Sequence, residues 1–595
     1  MNSDKAAQHL TSAAIQERRP VSVALIAVSS PHHYTLWNAF AAETLAGDLR
    51  GALGNLVRVG VYRVRSTDEI ERIAYIVKRL RPDMAAISVE CGGVTLSLEL
   101  AERLTSGDAS NGHCLSALIF GGKIPTYLPD VFLNKCSSAI VVLGEGELSL
   151  RRLVRRLLER APERLEDIPN LAFWDSQESI RRTAPERPRC SELTFPPSLD
   201  TVSELIEAGP GTVLTQASRG CSWSKCSFCT IPSFRFQEKW EPLPWSRTRK
   251  HLEALASLGV REFEFCDDEF MGGRDPQHIE RISRIAGDLE AVGRHFESGI
   301  VFRIFLIPHT IYRHSDPAGN AAVRSALERL RDAGLRRVYL GVESGSERQL
   351  KRYCRGTPLA DVMGALNVLR DLRLGIDCGF IMFDLLATVD DIAQNVRFFR
   401  ANGLIVYNQW PFRPLVANLG SRFGRMMLRR GMHPDPEYMC YRYRFNDPGV
   451  QKIFEVVDLI SSETRSLFYT LKVISKSHFD PGLECRESRR AREVVIANGL
   501  IYLDLIDDLV HAVTSSGADG LVARSAWRAR ERVQALLVDV EHDLNRGVFR
   551  DPHGRLRYEL SEHRPGFRAT PHAAPVARRD AIERTATHSL TILDP

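Results

Sequence analysis

The sequence predicts an α/β chain in three parts: an N-terminal doubly wound domain, a central partial (β/α)6 barrel and a C-terminal, mostly helical domain. Three observations carry this reading. Short β-branched runs alternate with amphipathic stretches over residues 21–160. A second series of six such runs begins near residue 211, and beyond residue 416 helical periodicity replaces the strand-like runs. A chain of 595 residues also exceeds what one hydrophobic core organises.

The first series comprises VSVALIAVSS (21–30), LVRVGVYRV (56–64), MAAISVE (84–90), SALIFGG (116–122) and SAIVVLG (138–144). Amphipathic stretches such as TDEIERIAYIVKRL (67–80) and TLSLELAERL (95–104) lie between them. Apolar strands separated by helices of this length build a parallel sheet covered on both faces. Open α/β sheets bind ligands at the carboxyl ends of their strands. Three of these runs end in glycine turns there: Cys91-Gly92-Gly93, Gly121-Gly122 and Gly144-Glu145-Gly146. Glycine lets backbone approach a ligand closely, so a nucleotide-like or corrin-sized ligand is expected.

Residues 1–20 read as a flexible, polar N-terminus and 21–160 as the doubly wound domain. Residues 161–205 are rich in proline with little periodicity and read as a linker holding a short hairpin. The barrel spans 206–415, with runs in GTVLTQASRG, REFEFCDDEF (261–270), GIVFRIFLIP (299–308), RRVYLGVESG (336–345), GIDCGFIMFD (375–384) and GLIVYNQWPF (403–412). Barrel chemistry sits at the strand ends. Residues 416–560 read as a helical domain that closes the barrel or binds substrate, and 561–595 as a disordered tail.

Composition narrows the function classes. The chain is 44% hydrophobic and 26% charged, with 79 basic against 74 acidic residues spread along its length. That balance gives no electrostatic footprint for nucleic acid. No apolar run has the length of a membrane span, and the first residues have no apolar signal region, so a cytoplasmic protein is expected. Nine of the twelve cysteines are scattered singly, which is not the pattern of a disulfide framework.

The other three fall in TQASRGCSWSKCSFCT (215–230). Structural zinc takes four ligands, commonly from two paired knuckles. Here Cys226 and Cys229 form one C-x-x-C and no second pair exists. A redox pair leaves Cys221 unexplained. Three thiolates suit a 4Fe–4S cluster with one iron left open, while zinc and the redox pair stay open as alternatives.

The loop follows the first strand of the barrel series and carries aromatic residues, and here the chain resembles the radical S-adenosylmethionine (radical SAM) superfamily. FEFCDDEF (263–270), LGVESGSERQLKRYCRGT (340–357) and GFIMFDLLATVDDI (379–392) resemble its second, fourth and fifth strands in order. One departure is the spacing: the family's C-x3-C-x2-C is C-x4-C-x2-C here. A doubly wound domain before such a barrel resembles the cobalamin-binding domain of the family's B12-dependent members, and the whole is similar to class B methyltransferases. The D-x-H-x-x-G stretch of domains that ligate cobalt by histidine is absent. SSPHHYTLW stands in its place, so His32 and His33 are read as solvated loop residues rather than cobalt ligands.

The resemblance implies the cofactors: a 4Fe–4S cluster on Cys221, Cys226 and Cys229, S-adenosylmethionine on its open iron, and cobalamin. It implies that Glu343 and Ser344, with Asp267 and Asp268, contact S-adenosylmethionine, and that Gly121, Gly122, Gly144 and Gly146 line cobalamin. A salt bridge for Glu343, a helix cap for the aspartates and plain tight turns for the glycines are the structural alternatives. It further implies a C-methyltransferase of natural-product or peptide antibiotic biosynthesis, with a small-molecule or peptide substrate and an electron donor such as flavodoxin or ferredoxin. Two alternatives share the architecture: a cyclase, ring-rearranging or oxidising radical enzyme, and a non-catalytic cobalamin-binding regulatory protein. No catalytic acid or base is assigned.

Overall fold

In the computed structural model the described residues are 19–29, 37–106, 115–159, 163–208, 212–234, 239–476, 486–515 and 518–549. His32, His33 and the C-terminal tail lie outside them. The first sheet holds β1 (Val21–Val28), β2 (Val57–Val64), β3 (Met84–Val89), β4 (Ala117–Gly121), β5 (Ile140–Val142), β6 (Leu171–Trp174) and β7 (Ile180–Arg182). Its order is β2-β1-β3-β4-β5-β6-β7, with the first five strands parallel. The order reverses between β1 and β3, which places a crevice at their carboxyl ends.

Both faces of this sheet are covered. Along β1, Val21, Val23, Leu25 and Ala27 join one core, while Ala24, Ile26 and Val28 join the other. Helices α1 (Phe40–Leu53) and α4 (Glu147–Leu158) cover the first face; α2 (Thr67–Leu80) and α3 (Val94–Thr105) cover the second. Successive strand residues point to opposite faces, so a run apolar at every position is what two cores require.

The stretch read as a linker does more than connect. Its hairpin, β6–β7, adds antiparallel to β5 and extends the first sheet by two strands. Asp175 builds the turn, accepting from the Gln177 and Ser179 backbone N–H groups at 2.9 and 3.0 Å. The sequence shows a hairpin but not its partner, because pairing across a helix leaves no local trace.

The second sheet contains β8 (Val213–Thr215), β11 (Glu262–Phe265), β12 (Val301–Leu306), β13 (Leu335–Glu343) and β14 (Gly375–Phe380), all parallel in the order β14-β13-β12-β11-β8. A small ladder of β9 (Ser218–Arg219) and β10 (Glu241–Pro242) stands beside it. Helices α5 (Trp245–Ser257), α6 (Pro276–Gly293), α7 (Pro317–Asp332), α8 (Leu359–Asp371) and α9 (Val389–Ala401) alternate with the strands. The sixth run forms no regular strand. It follows β14 through single bonds, Cys378 N–H to Tyr407 O at 3.3 Å and Met382 N–H to Arg413 O at 3.0 Å. Pro411 and Pro414 lack the donors a ladder needs. The Asn408 side chain substitutes for one, donating to Cys378 O at 2.9 Å.

After a two-stranded ladder of β15 (Ala417–Asn418) and β16 (Cys440–Tyr441), helices α10 (Pro448–Ser462), α11 (Arg465–Lys476), α12 (Arg486–Val513) and α13 (Ala518–Asn545) follow. They share one core with the barrel; Phe468 and Tyr502 join the same cluster as Trp410 and Phe412. Among the described residues no helix is long and apolar enough to cross a membrane.

The segment between β15 and β16 reaches back to the first sheet. The Glu437 carboxylate accepts from Val94 N–H at 2.9 Å, Thr95 N–H at 3.1 Å and the Thr95 hydroxyl at 2.9 Å. It therefore caps α3, whose own N-cap residue, Gly93, has no side chain to do so. Glu437→Ala should cost about 1 kcal/mol of stability, with part recovered in Glu437→Gln. Urea midpoints of the three proteins check this.

Candidate active site: a clamped cysteine loop and a glycine-edged cavity

Residues 220–230 form no helix or strand, so their polar groups are held from outside. One clamp is the end of β11. Asp267 accepts from Ala217 N–H at 3.0 Å and from the Ser218 hydroxyl. Asp268 accepts from Gly220 N–H at 3.0 Å, and Glu269 from the Ser222 hydroxyl at 3.3 Å. The other clamp is the turn after the short helix Glu347–Arg352. There Ser227 N–H donates to Tyr353 O at 2.9 Å, and Trp223 Nε1 to Cys354 O at 2.7 Å. The connection around Tyr353 and Cys354, given no role in the sequence reading, thus anchors the loop.

Cys221, Cys226 and Cys229 are free thiols, each half-buried. Burial pushes Cys221 up to about 11 and Cys229 up to about 12, with the charge of its two sister thiols adding to the rise at Cys229. Burial raises Cys226 too, and the Arg355 guanidinium, with Nη1 3.6 Å from its sulfur, opposes that rise. Among the described residues no three His, Cys, Asp or Glu side chains are gathered closely enough to grip a single metal ion.

Glu343 ends β13 in the left-handed region, at φ 69°, beside a register shift against β14. A non-glycine residue there is strained and marks a candidate functional position. Burial raises its carboxyl, opposed by Arg355. A Cβ built on Gly341 would lie 2.6 Å from both Glu343 Oε1 and Arg355 Nη2, so the two groups share the space above that glycine. Tyr339, on the same face, lies with its hydroxyl over Gly379 and its ring 5.0 Å from Phe305.

Ser344 is placed differently from expectation. Its hydroxyl lies 2.6 Å from Gln349 Oε1 and 2.9 Å from Asn395 Oδ1, in a buried network under α9. That hydroxyl is engaged inside the fold. Asp267 is likewise committed to the loop backbone, while Asp268 is close enough to Cys229 to raise its thiol. The Cys266 thiol donates to Thr215 O at 3.2 Å.

Gly121, Gly122, Gly144 and Gly146 edge one cavity of about 270 Å³ at the carboxyl ends of the first sheet. Gln216, Arg219, Phe234 and Cys266 of the barrel line its other side. A Cβ on Gly121 would meet nothing within 4 Å, whereas one on Gly122 (φ 109°) would strike Val89 O at 2.7 Å. Arg219, Glu145 and Glu147 meet at this cavity, and the sequence reading left all three unassigned. Arg219 Nη2 donates to Glu147 Oε1 at 2.6 Å, and Nη1 lies 3.1 Å from Glu145 Oε1. Their signal was present: an arginine flanking the cysteines, and a Gly-Glu-Gly-Glu turn.

Comparison with known proteins matches residues 215–399 to the radical SAM superfamily. A 4'-phospho-dehydrooxetanocin synthase of Priestia megaterium is 29% identical over 340 residues, which is 55% of this chain and 44% of that protein. The chain spans about half the length of the curated relatives it matches. The solved structure of the cobalamin-dependent S-adenosylmethionine radical enzyme OxsB, with aqua-cobalamin bound, superposes with a TM-score of 0.77. It is 21% identical and covers 90% of this chain and 82% of its own. The radical S-adenosylmethionine methyltransferase TsrM of Kitasatospora setae, with cobalamin and a [4Fe-4S] cluster, gives a TM-score of 0.52 at 14% identity. That match covers 69% of this chain and 75% of TsrM. These likenesses show a common fold.

The clamp carries a pH signature. Burial pushes the Asp267 carboxyl from 3.8 up to about 7, against the bonds from Ser218 and Ala217. Between those values the folded chain binds more protons than the unfolded chain, so stability falls as pH rises through the window. Urea denaturation of metal-free protein at pH 4.5 and 7.5 should show wild type losing roughly 1–3 kcal/mol more than Asp267→Asn across that interval. Equal losses would show that Asp267 does not titrate there.

Proposed function

Because residues 215–399 carry a radical SAM domain, we propose that this chain is a cobalamin-dependent radical SAM enzyme acting on a carbon centre of its substrate. The single observation that carries this reading is the clamped triad, three thiols with no fourth protein ligand among the described residues, beside a glycine-edged cavity. The donor set fits the cluster: Cys221, Cys226 and Cys229 would hold it, and the missing ligand leaves room for S-adenosylmethionine. The cavity, about 270 Å³ and mostly apolar, has room for part of a corrin-sized ligand, with polar groups at Thr44, Ser88, Gln216 and Arg219. Gly121 is open, and Thr44 Oγ1, buried in the wall, has no hydrogen-bond partner.

When bound, the cluster and S-adenosylmethionine supply a radical able to take hydrogen from carbon, and cobalamin supplies a cobalt centre able to pass on a methyl group. The chain's own residues bind and shield. Arg355 sets its charge beside Cys226 and Glu343, which lowers the cost of burying negative charge there. Glu343, held at the strand end, is the carboxylate placed to orient S-adenosylmethionine, with Asp268 across the loop. Tyr339 and Phe305 offer an aromatic wall to a small-molecule or peptide substrate. The cluster requires a one-electron donor such as flavodoxin or ferredoxin, and a cytoplasmic setting suits that partner.

The first reading of the reaction is C-methylation in natural-product or peptide antibiotic biosynthesis. A second reading, rearrangement or oxidation without methyl transfer, is supported by the closer superposition on OxsB (TM-score 0.77) than on the methyltransferase TsrM (0.52), and by the 29% identity to a 4'-phospho-dehydrooxetanocin synthase.

Anaerobically reconstituted protein should bind about four iron and four sulfide. Changing Cys221, Cys226 and Cys229 to alanine should abolish both iron binding and reductive cleavage of S-adenosylmethionine. Retained iron in that variant overturns the assignment. With S-adenosylmethionine deuterated in its methyl group, methylation predicts three deuterons in the product and one deoxyadenosine per turnover. Deoxyadenosine with an unlabelled product establishes the second reading.

A further inference from the structure

We infer that Arg219 is a positioning residue that ties the cavity to the cysteine loop, so that cobalamin and the cluster each favour the other's binding. This rests on the cavity being the cobalamin site proposed above. Arg219 stands two residues before Cys221, yet its side chain leaves the loop and lines the cavity. Its guanidinium is 5% exposed, and its partners Glu145 and Glu147 are 6% and 4% exposed. Those two glutamates alternate with Gly144 and Gly146, the cavity's own edge. One guanidinium therefore joins the wall of one cofactor's site to the strand that enters the other's.

The link is stiff at both ends. On the cavity side a buried ion pair cannot open cheaply, because either partner alone would be an uncompensated buried charge. On the loop side Arg219 pairs with Glu241 in the β9–β10 ladder, and the next N–H, Gly220, is bonded to Asp268. A Cβ on Gly220 would lie 2.4 Å from Lys239 O, so the chain has no slack there. The cavity end is unfinished. Arg219 Nη1 makes no hydrogen bond despite its nearness to Glu145, and Thr44 Oγ1 has no partner. A corrin carries carboxamide side chains, whose carbonyls accept from such donors. Filling the cavity completes the hydrogen bonding of Arg219, fixes its position and with it the entry of the cysteine loop. Linkage requires the reverse to hold equally.

The test titrates hydroxocobalamin, followed by visible absorbance, into full-length protein with and without its reconstituted cluster. Wild type should bind roughly 5- to 100-fold more tightly with the cluster present, and chelator should strip iron correspondingly more slowly once cobalamin is bound. Arg219→Lys keeps the charge but loses the planar fork, and should bring that ratio close to one while retaining binding. Thr44→Val should weaken binding about three- to tenfold in both states and leave the ratio unchanged. Equal wild-type affinities with and without the cluster overturn the inference and need no variant. An undiminished ratio in a folded Arg219→Lys protein, judged by its thermal transition, overturns it as well. No hydroxocobalamin binding to either form instead removes the cavity assignment, and the coupling with it.

Discussion

A cysteine loop without a ladder of its own is the constraint around which this molecule is organised. Three thiols must be brought together in partial burial, where each resists ionisation, and the loop between them has few internal hydrogen bonds, Ser224 to Cys221 O and Cys229 N–H to Cys226 O among them. The fixing is done by the end of β11 and by the turn after the short helix Glu347–Arg352. Asp267, Asp268 and Glu269 take the loop's donors on one side, and carbonyls of Arg352, Tyr353 and Cys354 take them on the other. The thiol positions are thus set largely by the elements around the loop rather than by the loop itself. The four residues between the first two cysteines are themselves anchored, Ser222 to Glu269 and Trp223 to the Cys354 carbonyl.

That arrangement carries its own cost. Burial pushes both Asp267 and Glu269 up to about 7, so near neutral pH neither carboxyl is firmly ionised in the absence of a cofactor. A cationic ligand nearby would favour their charged forms, as opposite charge does.

How much of this was legible in the sequence depends on the range of each interaction. The strands of the first sheet were readable because period and β-branching are local. Their order, and the addition of β6 and β7, were not, since pairing is decided across whole helices. The sixth barrel run misled because its apolar residues are strand-like while Pro411 and Pro414 silently remove the ladder. In the site, cysteine spacing was enough to find the triad. Glu343 and Ser344 are neighbours in sequence, but β13 ends at Glu343 in the left-handed region, and the chain turns there so that the Ser344 hydroxyl enters the buried network with Gln349 and Asn395. Arg219 and Arg355 escaped because their partners lie 72 and 129 residues away.

The buried Arg219–Glu145–Glu147 group poses a final physical question, since such a cluster rarely adds stability over an apolar replacement. Well-packed hydrophobic residues would join the two units as firmly. They would also close the cavity, because apolar side chains of similar volume gain by filling space and charged ones do not. An ion pair gives a joint that is rigid in direction, that keeps polar groups at the cavity wall and that leaves one donor, Nη1, in ionic contact with Glu145 but outside hydrogen-bond geometry. The empty protein bears the cost of that donor and of the Thr44 hydroxyl. A ligand that satisfies both recovers it as binding energy, so a joint that looks wasteful in the folded chain is economical once the cavity is filled.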